Sequence, residues 1–114
     1  MNHSDLVANL AKPGKDIIET LTVDKVELLH MAVGIAGEAG ELLDAIKKHV
    51  FYNKKIDIDN VIEELGDLEF YMEGLRQNLI LTRFSTLRCN IDKLTIRYKK
   101  GYSDKAAQAR ADKQ

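Results

Sequence analysis

Two apolar stripes at helical spacing constrain this chain more than any other feature. Val61, Leu65, Leu68, Met72, Leu75 and Leu79 recur in steps of 4, 3, 4, 3 and 4. Phe84, Leu87, Ile91, Leu94 and Tyr98 recur in steps of 3, 4, 3 and 4. Such spacing gathers apolar groups on one side of a helix and scatters them over both faces of a strand. The only proline is Pro13, so nothing beyond it breaks a long helix by ring chemistry. Heptad-like stripes on successive helices are buried most simply by antiparallel bundle packing. The expected fold class is therefore all-α, an antiparallel helical bundle.

Start and stop signals divide the chain further. Ser4 is a suitable N-cap for a short helix over residues 4–11, and Pro13-Gly14 interrupts it. A brief helical segment is expected around 15–20. Thr22 caps a long helix at 23–51, and Asn53-Lys54-Lys55 forms a loop. Asp57 or Asp59 caps a second long helix reaching about 79. Thr82 caps a third, which Gly101 is expected to stop. The tail from Ser103 is rich in Ala and charge and reads as a short helix or a flexible end. One domain spans 1–114, with its core at about 22–100.

The helix at 23–51 has two apolar sides. Val26, Leu29, Val33, Ala36 and Gly40 form one stripe; Leu28, Ala32, Ile35, Ala39, Leu42, Ile46 and Val50 form the other. A helix apolar on two sides needs two neighbours. One is its own bundle and the other is expected to be a second subunit, because a 114-residue chain buries a limited share of its surface alone. Between the stripes runs a band of Glu27, His30, Gly34, Glu38, Glu41, Ala45 and Lys48. Gly34, Gly37 and Gly40 each cost a helix about 1 kcal/mol relative to Ala. Close helix packing explains them most simply, with ligand access an option at Gly34 and Gly37.

Glu38-Ala-Gly-Glu41 and Glu64-Leu-Gly-Asp67 are carboxylate pairs three residues apart, each projecting along one helix face. None of the four acids has a Lys or Arg three or four positions away. Antiparallel packing of the two helices would bring all four together at the rim of the core. Acids so gathered repel unless a cation joins them. All-oxygen ligands favour a hard ion, Mg²⁺ or Mn²⁺, and Mg²⁺ commonly recruits substrate phosphates. Asn90, Lys93 and Arg97 lie along one flank of the third helix and could hold phosphate oxygens. Lys47, Lys48, Lys54 and Lys55, near the first loop, are further phosphate candidates, although such a run is more often a solvated helix end.

Charge excludes other classes. With 17 basic and 18 acidic residues the net charge is −1, unlike a general binder of nucleic acid polymers or membrane surfaces. No run is long and apolar enough to cross a membrane. A lone cysteine, Cys89, rules out an internal disulfide framework and suits a reducing cytoplasm.

The run from His30 to Lys48, containing Gly37-Glu38-Ala-Gly40-Glu41-Leu42, resembles the first motif of the MazG-like nucleotide pyrophosphohydrolases. Glu63-Glu64-Leu65-Gly66-Asp67 resembles the second motif, and Asn90-Ile-Asp-Lys93-Leu94-Thr-Ile-Arg97-Tyr98 the Asn-x-x-Lys-Leu-x-x-Arg-Tyr segment. The resemblance spans 30–98 and implies an all-α NTP pyrophosphatase fold completed by oligomerisation, as homodimer or homotetramer. It implies hydrolysis of a nucleoside triphosphate to the monophosphate and pyrophosphate, with Mg²⁺ on Glu38, Glu41, Glu64 and Asp67. Lys93 and Arg97 would then stabilise the leaving pyrophosphate, Glu41 would activate water, and His30 would lie toward the base. Two rivals remain at this stage. Glu27-Leu-Leu-His30 is one ExxH, whereas a di-iron carboxylate bundle wants two. A non-catalytic nucleotide-binding or oligomerisation module would have no use for four converging acids.

Overall fold

A computed structural model describes residues 1–110, which form six helices: α1 (His3–Leu10), α2 (Gly14–Thr20), α3 (Val23–Phe51), α4 (Ile58–Asn78), α5 (Arg83–Arg97) and α6 (Asp104–Ala109). No β-strand forms among the described residues. The all-α expectation holds. Caps start the long helices where expected, with Asp57 taking the position before α4 and Asp59 falling inside its first turn. The side chains of Thr22, Asp57 and Thr82 accept from the backbone N–H groups of Lys25, Asn60 and Ser85 at 3.2, 3.0 and 3.0 Å.

Two ends differ from expectation. Asn2, not Ser4, caps α1: its Oδ1 accepts from Asp5 N–H at 2.8 Å, so the helix starts earlier and encloses Ser4. Helix α5 stops at Arg97, because Tyr98 leaves helical geometry (φ −119°, ψ 48°). Gly101 takes the left-handed φ of 85° in the turn that follows. Ser103 then caps α6, so the tail does contain a short helix, while its last four residues lie outside the described ones.

The body of the molecule is the hairpin of α3 and α4. Apart from Gly34, the shielded positions of α3 are Leu28, Met31, Ile35, Glu38, Leu42 and Ala45, in steps of 3, 4, 3, 4 and 3. On α4, Val61, Glu64, Leu68, Tyr71 and Leu75 follow steps of 3, 4, 3 and 4 and are likewise shielded. The seam thus runs through Glu64 and Tyr71, whereas Leu65 and Leu79, expected in it, are each 48% exposed. Two glycines set this register. A Cβ on Gly34 would collide with the Tyr71 ring, and one on Gly74 with the Met31 sulfur. Each glycine lets a bulky side chain lie against the opposing backbone. Gly34 is therefore a packing glycine, not an access point; Gly37 and Gly40 face open space.

The rest of the chain is open. Helix α5 packs along α6 but makes no extended packing on α3 or α4. Its stripe of Phe84, Leu87, Ile91 and Leu94 stays exposed, contrary to the expectation that one chain buries it. A link to α4 runs through Glu69, which Arg76 and Arg83 approach at 3.7 and 4.0 Å. The outer stripe of α3, including Val26, Leu29 and Val33, is also exposed. The accessible surface is 9484 Å², against about 6,300 Å² for a compact monomer of this mass. The radius of gyration is 19.7 Å, against about 13 Å for a compact chain of this length.

Candidate metal centre and substrate site

Glu38 on α3 and Glu64 on α4 occupy facing seam positions, where a bundle normally carries leucine. Asp67 follows Glu64 by one turn. One carboxylate oxygen from each of these three residues lies within 4.8 Å of the others. Glu41 is outside this tight set but close enough for its charge to act on Glu64. Three of the four predicted acids therefore converge tightly, and the fourth contributes field.

Glu64 is the strained member. It is only 8% exposed, and its Oε2 is buried with no hydrogen-bond partner. Removing a carboxylate from water without a donor or cation is unfavourable. Its carboxyl is pushed up from 4.5 to about 7, first because the protonated group hydrogen-bonds Glu38. Burial acts next, followed by the negative charges of Glu38, Glu41 and Asp67. The site can relieve this in two ways: take up a proton, or take up a cation.

The donor set suits a hard cation. It consists of carboxylate oxygens alone, with an unsatisfied buried oxygen among them. Oxygens around Mg²⁺, at about 2.1 Å from the ion, are separated by roughly 3–4 Å, so a set already within 4.8 Å needs only a small inward movement to share one ion. No histidine joins the tight set among the described residues. This removes the geometric basis for the di-iron reading, which requires ExxH ligands.

An aromatic patch adjoins the acids. The Tyr71 ring, one turn beyond Asp67, meets the His30 ring edge-on at 6.3 Å and the Phe70 ring at 5.2 Å. His30 is exposed, on the same band as Glu38. Tyr71 was not singled out in the sequence. Its signal was faint: a tyrosine opposite a helix-interior glycine that costs stability unless something fills the space.

The predicted cations are not gathered on the cluster by packing within one chain. Lys93 and Arg97 are half-shielded and Asn90 exposed, all on α5, which lies along neither α3 nor α4. Lys48 pairs with Asp44 at 3.0 Å on the surface, and that hydrogen bond raises its pKa. The Lys54 backbone folds onto the end of α3: its N–H donates to the Lys48 carbonyl at 3.4 Å, and its carbonyl lies 2.7 Å from His49 Nδ1. The Lys54 side chain is exposed.

A sequence model of the MazG nucleotide pyrophosphohydrolase domain matches residues 27–101. The chain belongs to the MazG nucleotide pyrophosphohydrolase family. The match takes in the whole α3–α4 hairpin except the start of α3, all of α5, and every acid of the cluster. Searches of curated proteins and of solved structures gave no significant match. As a member of this family the protein falls among hydrolases of acid anhydrides. No helix among the described residues is long and apolar enough to cross a membrane.

Proposed function

We propose that this protein is a Mg²⁺-dependent nucleoside triphosphate pyrophosphohydrolase, converting an NTP or dNTP to the monophosphate and pyrophosphate in the cytoplasm. The observation that carries the reading is the buried, unsatisfied Glu64 oxygen beside Glu38 and Asp67, in a chain of this family. Glu38, Glu41, Glu64 and Asp67 would hold Mg²⁺, or Mn²⁺ in its place. When bound, the ion supplies charge neutralisation and polarisation at the phosphate and lowers the pKa of a coordinated water.

The remaining work falls to the chain. Glu41, exposed beside the tight set, has a carboxylate free to orient and deprotonate the attacking water. Lys93 and Arg97 stabilise the charge that develops on the leaving pyrophosphate, and Asn90 donates a hydrogen bond to a phosphate oxygen. Lys48 and Lys54 engage the outer phosphates. The base sits toward the exposed His30 ring, which the Tyr71 ring backs edge-on.

These cations must reach the acids, and α5 does not pack on its own hairpin. A homodimer or homotetramer supplies the route: α5 of one copy lies over the α3–α4 hairpin of another. The exposed apolar stripes of α3 and α5 and the large excess of accessible surface support this assembly.

The test is a release screen across nucleoside di- and triphosphates with Mg²⁺, Mn²⁺ or no metal. The expected result is metal-dependent formation of monophosphate and pyrophosphate from triphosphates, lost in Asp67→Asn with little change in helicity. Full turnover in both Asp67→Asn and Glu64→Gln would overturn the assignment. Nucleotide binding without turnover would mark a non-catalytic module instead.

A further inference from the structure

The chain beyond α5 has a charge balance that the proposed catalysis leaves unused. Residues 97–114 hold six basic and two acidic side chains, a net +4, in a chain whose overall charge is −1. One of the two acids, Asp104, is engaged by Tyr102, whose hydroxyl donates to its Oδ1 at 2.7 Å. The chain reverses after α5, and the reversal gathers basic groups around an open-sided cavity of about 490 Å³ between α5 and α6. That volume falls within the roughly 300–1,000 Å³ usual for small-molecule sites.

Local bonds shape the cavity before any ligand arrives. Gly101 N–H donates to the Tyr98 carbonyl at 3.0 Å, and Gly101 closes the turn at its left-handed φ of 85°. The Tyr98 and Tyr102 rings lie 5.5 Å apart across that turn. Ser103 Oγ then accepts from Ala106 N–H at 3.0 Å and starts α6. Ile96, Tyr98 and Ala106 give the cavity apolar walls, and the exposed Lys99, Lys100 and Lys105 line it with charge. No carboxylate lines it among the described residues.

This combination selects an occupant. Three ammonium groups around one small space call for several negative charges close together, which a polyphosphate supplies and a lone carboxylate does not. Bare pyrophosphate would leave the apolar walls against water, whereas a nucleoside covers them with its base and sugar. With lysines for counter-charge and no acid to repel phosphate, the site needs no bridging cation. We infer that the α5–α6 cavity is a second nucleotide site, which binds a nucleoside polyphosphate without a metal ion and apart from the carboxylate cluster. The two lie on elements that do not pack together, since α5 makes no extended packing on the α3–α4 hairpin. Arg97 borders the cavity on its α5 side, but Lys99, Lys100 and Lys105 have no part in the proposed hydrolysis.

Calorimetric titration of the full chain in EDTA tests this. The probes are the α,β-methylene analogues of ATP and dUTP, whose bridge resists the proposed cleavage. At least one is expected to bind saturably without metal, and within twofold as tightly to Asp67→Asn. Combined Lys99→Gln, Lys100→Gln and Lys105→Gln should weaken binding at least tenfold. Lys105→Glu alone should also weaken it, while an acid in the first turn favours α6 and keeps the fold. Inorganic pyrophosphate should bind at least tenfold more weakly than the analogue. In ¹⁵N spectra the shifts should centre on residues 96–109. Four results would overturn the inference: no binding of either analogue in EDTA, binding unchanged in both lysine variants, pyrophosphate as tight as the analogue, or shifts centred on residues 30–67. Metal-free binding in a chain that hydrolyses nothing would instead count against the catalytic reading alone.

Discussion

A carboxyl group held in the seam between two helices must keep its proton or gain a cation. Glu64 stands at that choice, with its carboxyl raised from 4.5 to about 7 by Glu38, by burial and by the surrounding acids. A group whose pKa is higher folded than unfolded favours the fold while it stays protonated, and that contribution is lost as the proton leaves. The metal-free protein is therefore expected to lose stability between pH 4.5 and about 7, and to level off above. Glu64→Gln, which keeps the shape and cannot ionise, should flatten this slope and raise the melting temperature at pH 8 but not at pH 4.5. The same substitution should weaken stabilisation by added Mg²⁺ and lower turnover by at least about 10-fold. Thermal unfolding with and without Mg²⁺ across this pH range checks both parts. An unchanged slope in Glu64→Gln would mean that another group carries the pH dependence.

At the scale of the helix, the glycines of α3 divide by what faces them. Gly34 meets the Tyr71 ring, and a methyl there must displace it from the seam. Gly34→Ala is expected to destabilise by about 1–3 kcal/mol, the usual cost of overpacking. Gly37 has nothing within 4 Å of an added Cβ, so Gly37→Ala should gain about 0.5–1 kcal/mol from helix propensity. Urea unfolding of the metal-free chain measures the two with opposite signs. This division also explains what the sequence could and could not disclose. The starts of α3, α4 and α5 were legible because Thr22, Asp57 and Thr82 act within three residues of themselves. The carboxylate pairs were legible because helical spacing alone puts them on one face. The rotation of α4 was not, because Leu65 and Glu64 compete for the seam and the winner depends on Gly34 accepting Tyr71, a contact across two helices. The burial of Glu64 follows from that rotation and was hidden with it. Helix α5 ended early for a similar reason: Gly101 supplies a stop, but Tyr98 leaves the helix first and its ring stacks at 5.5 Å on Tyr102.

For the whole molecule, one chain keeps the two halves of the proposed site on elements that do not pack together. Its acids are assembled by the α3–α4 hairpin, while Lys93 and Arg97 ride on a helix that leaves that hairpin uncovered. If α5 of one copy serves the cluster of another, two separately disabled chains must restore each other. A chain with Asp67→Asn lacks a working cluster but still offers an intact α5. A chain with Lys93→Ala has the reverse defect. In a randomly mixed symmetric dimer, half of the assemblies pair the two kinds, and one of their two sites then combines both intact halves. The mixture should recover about a quarter of wild-type turnover, although each parent alone is nearly inactive. Were α5 to act on its own chain, every site in every mixture would carry one defect, and no recovery could occur. Refolding the two variants together at equal concentration and assaying pyrophosphate release separates these outcomes. A recovery that vanishes when Ile91→Asp is added to the Asp67→Asn chain would tie it to the exposed stripe of α5, because that chain donates the working Lys93 through this helix.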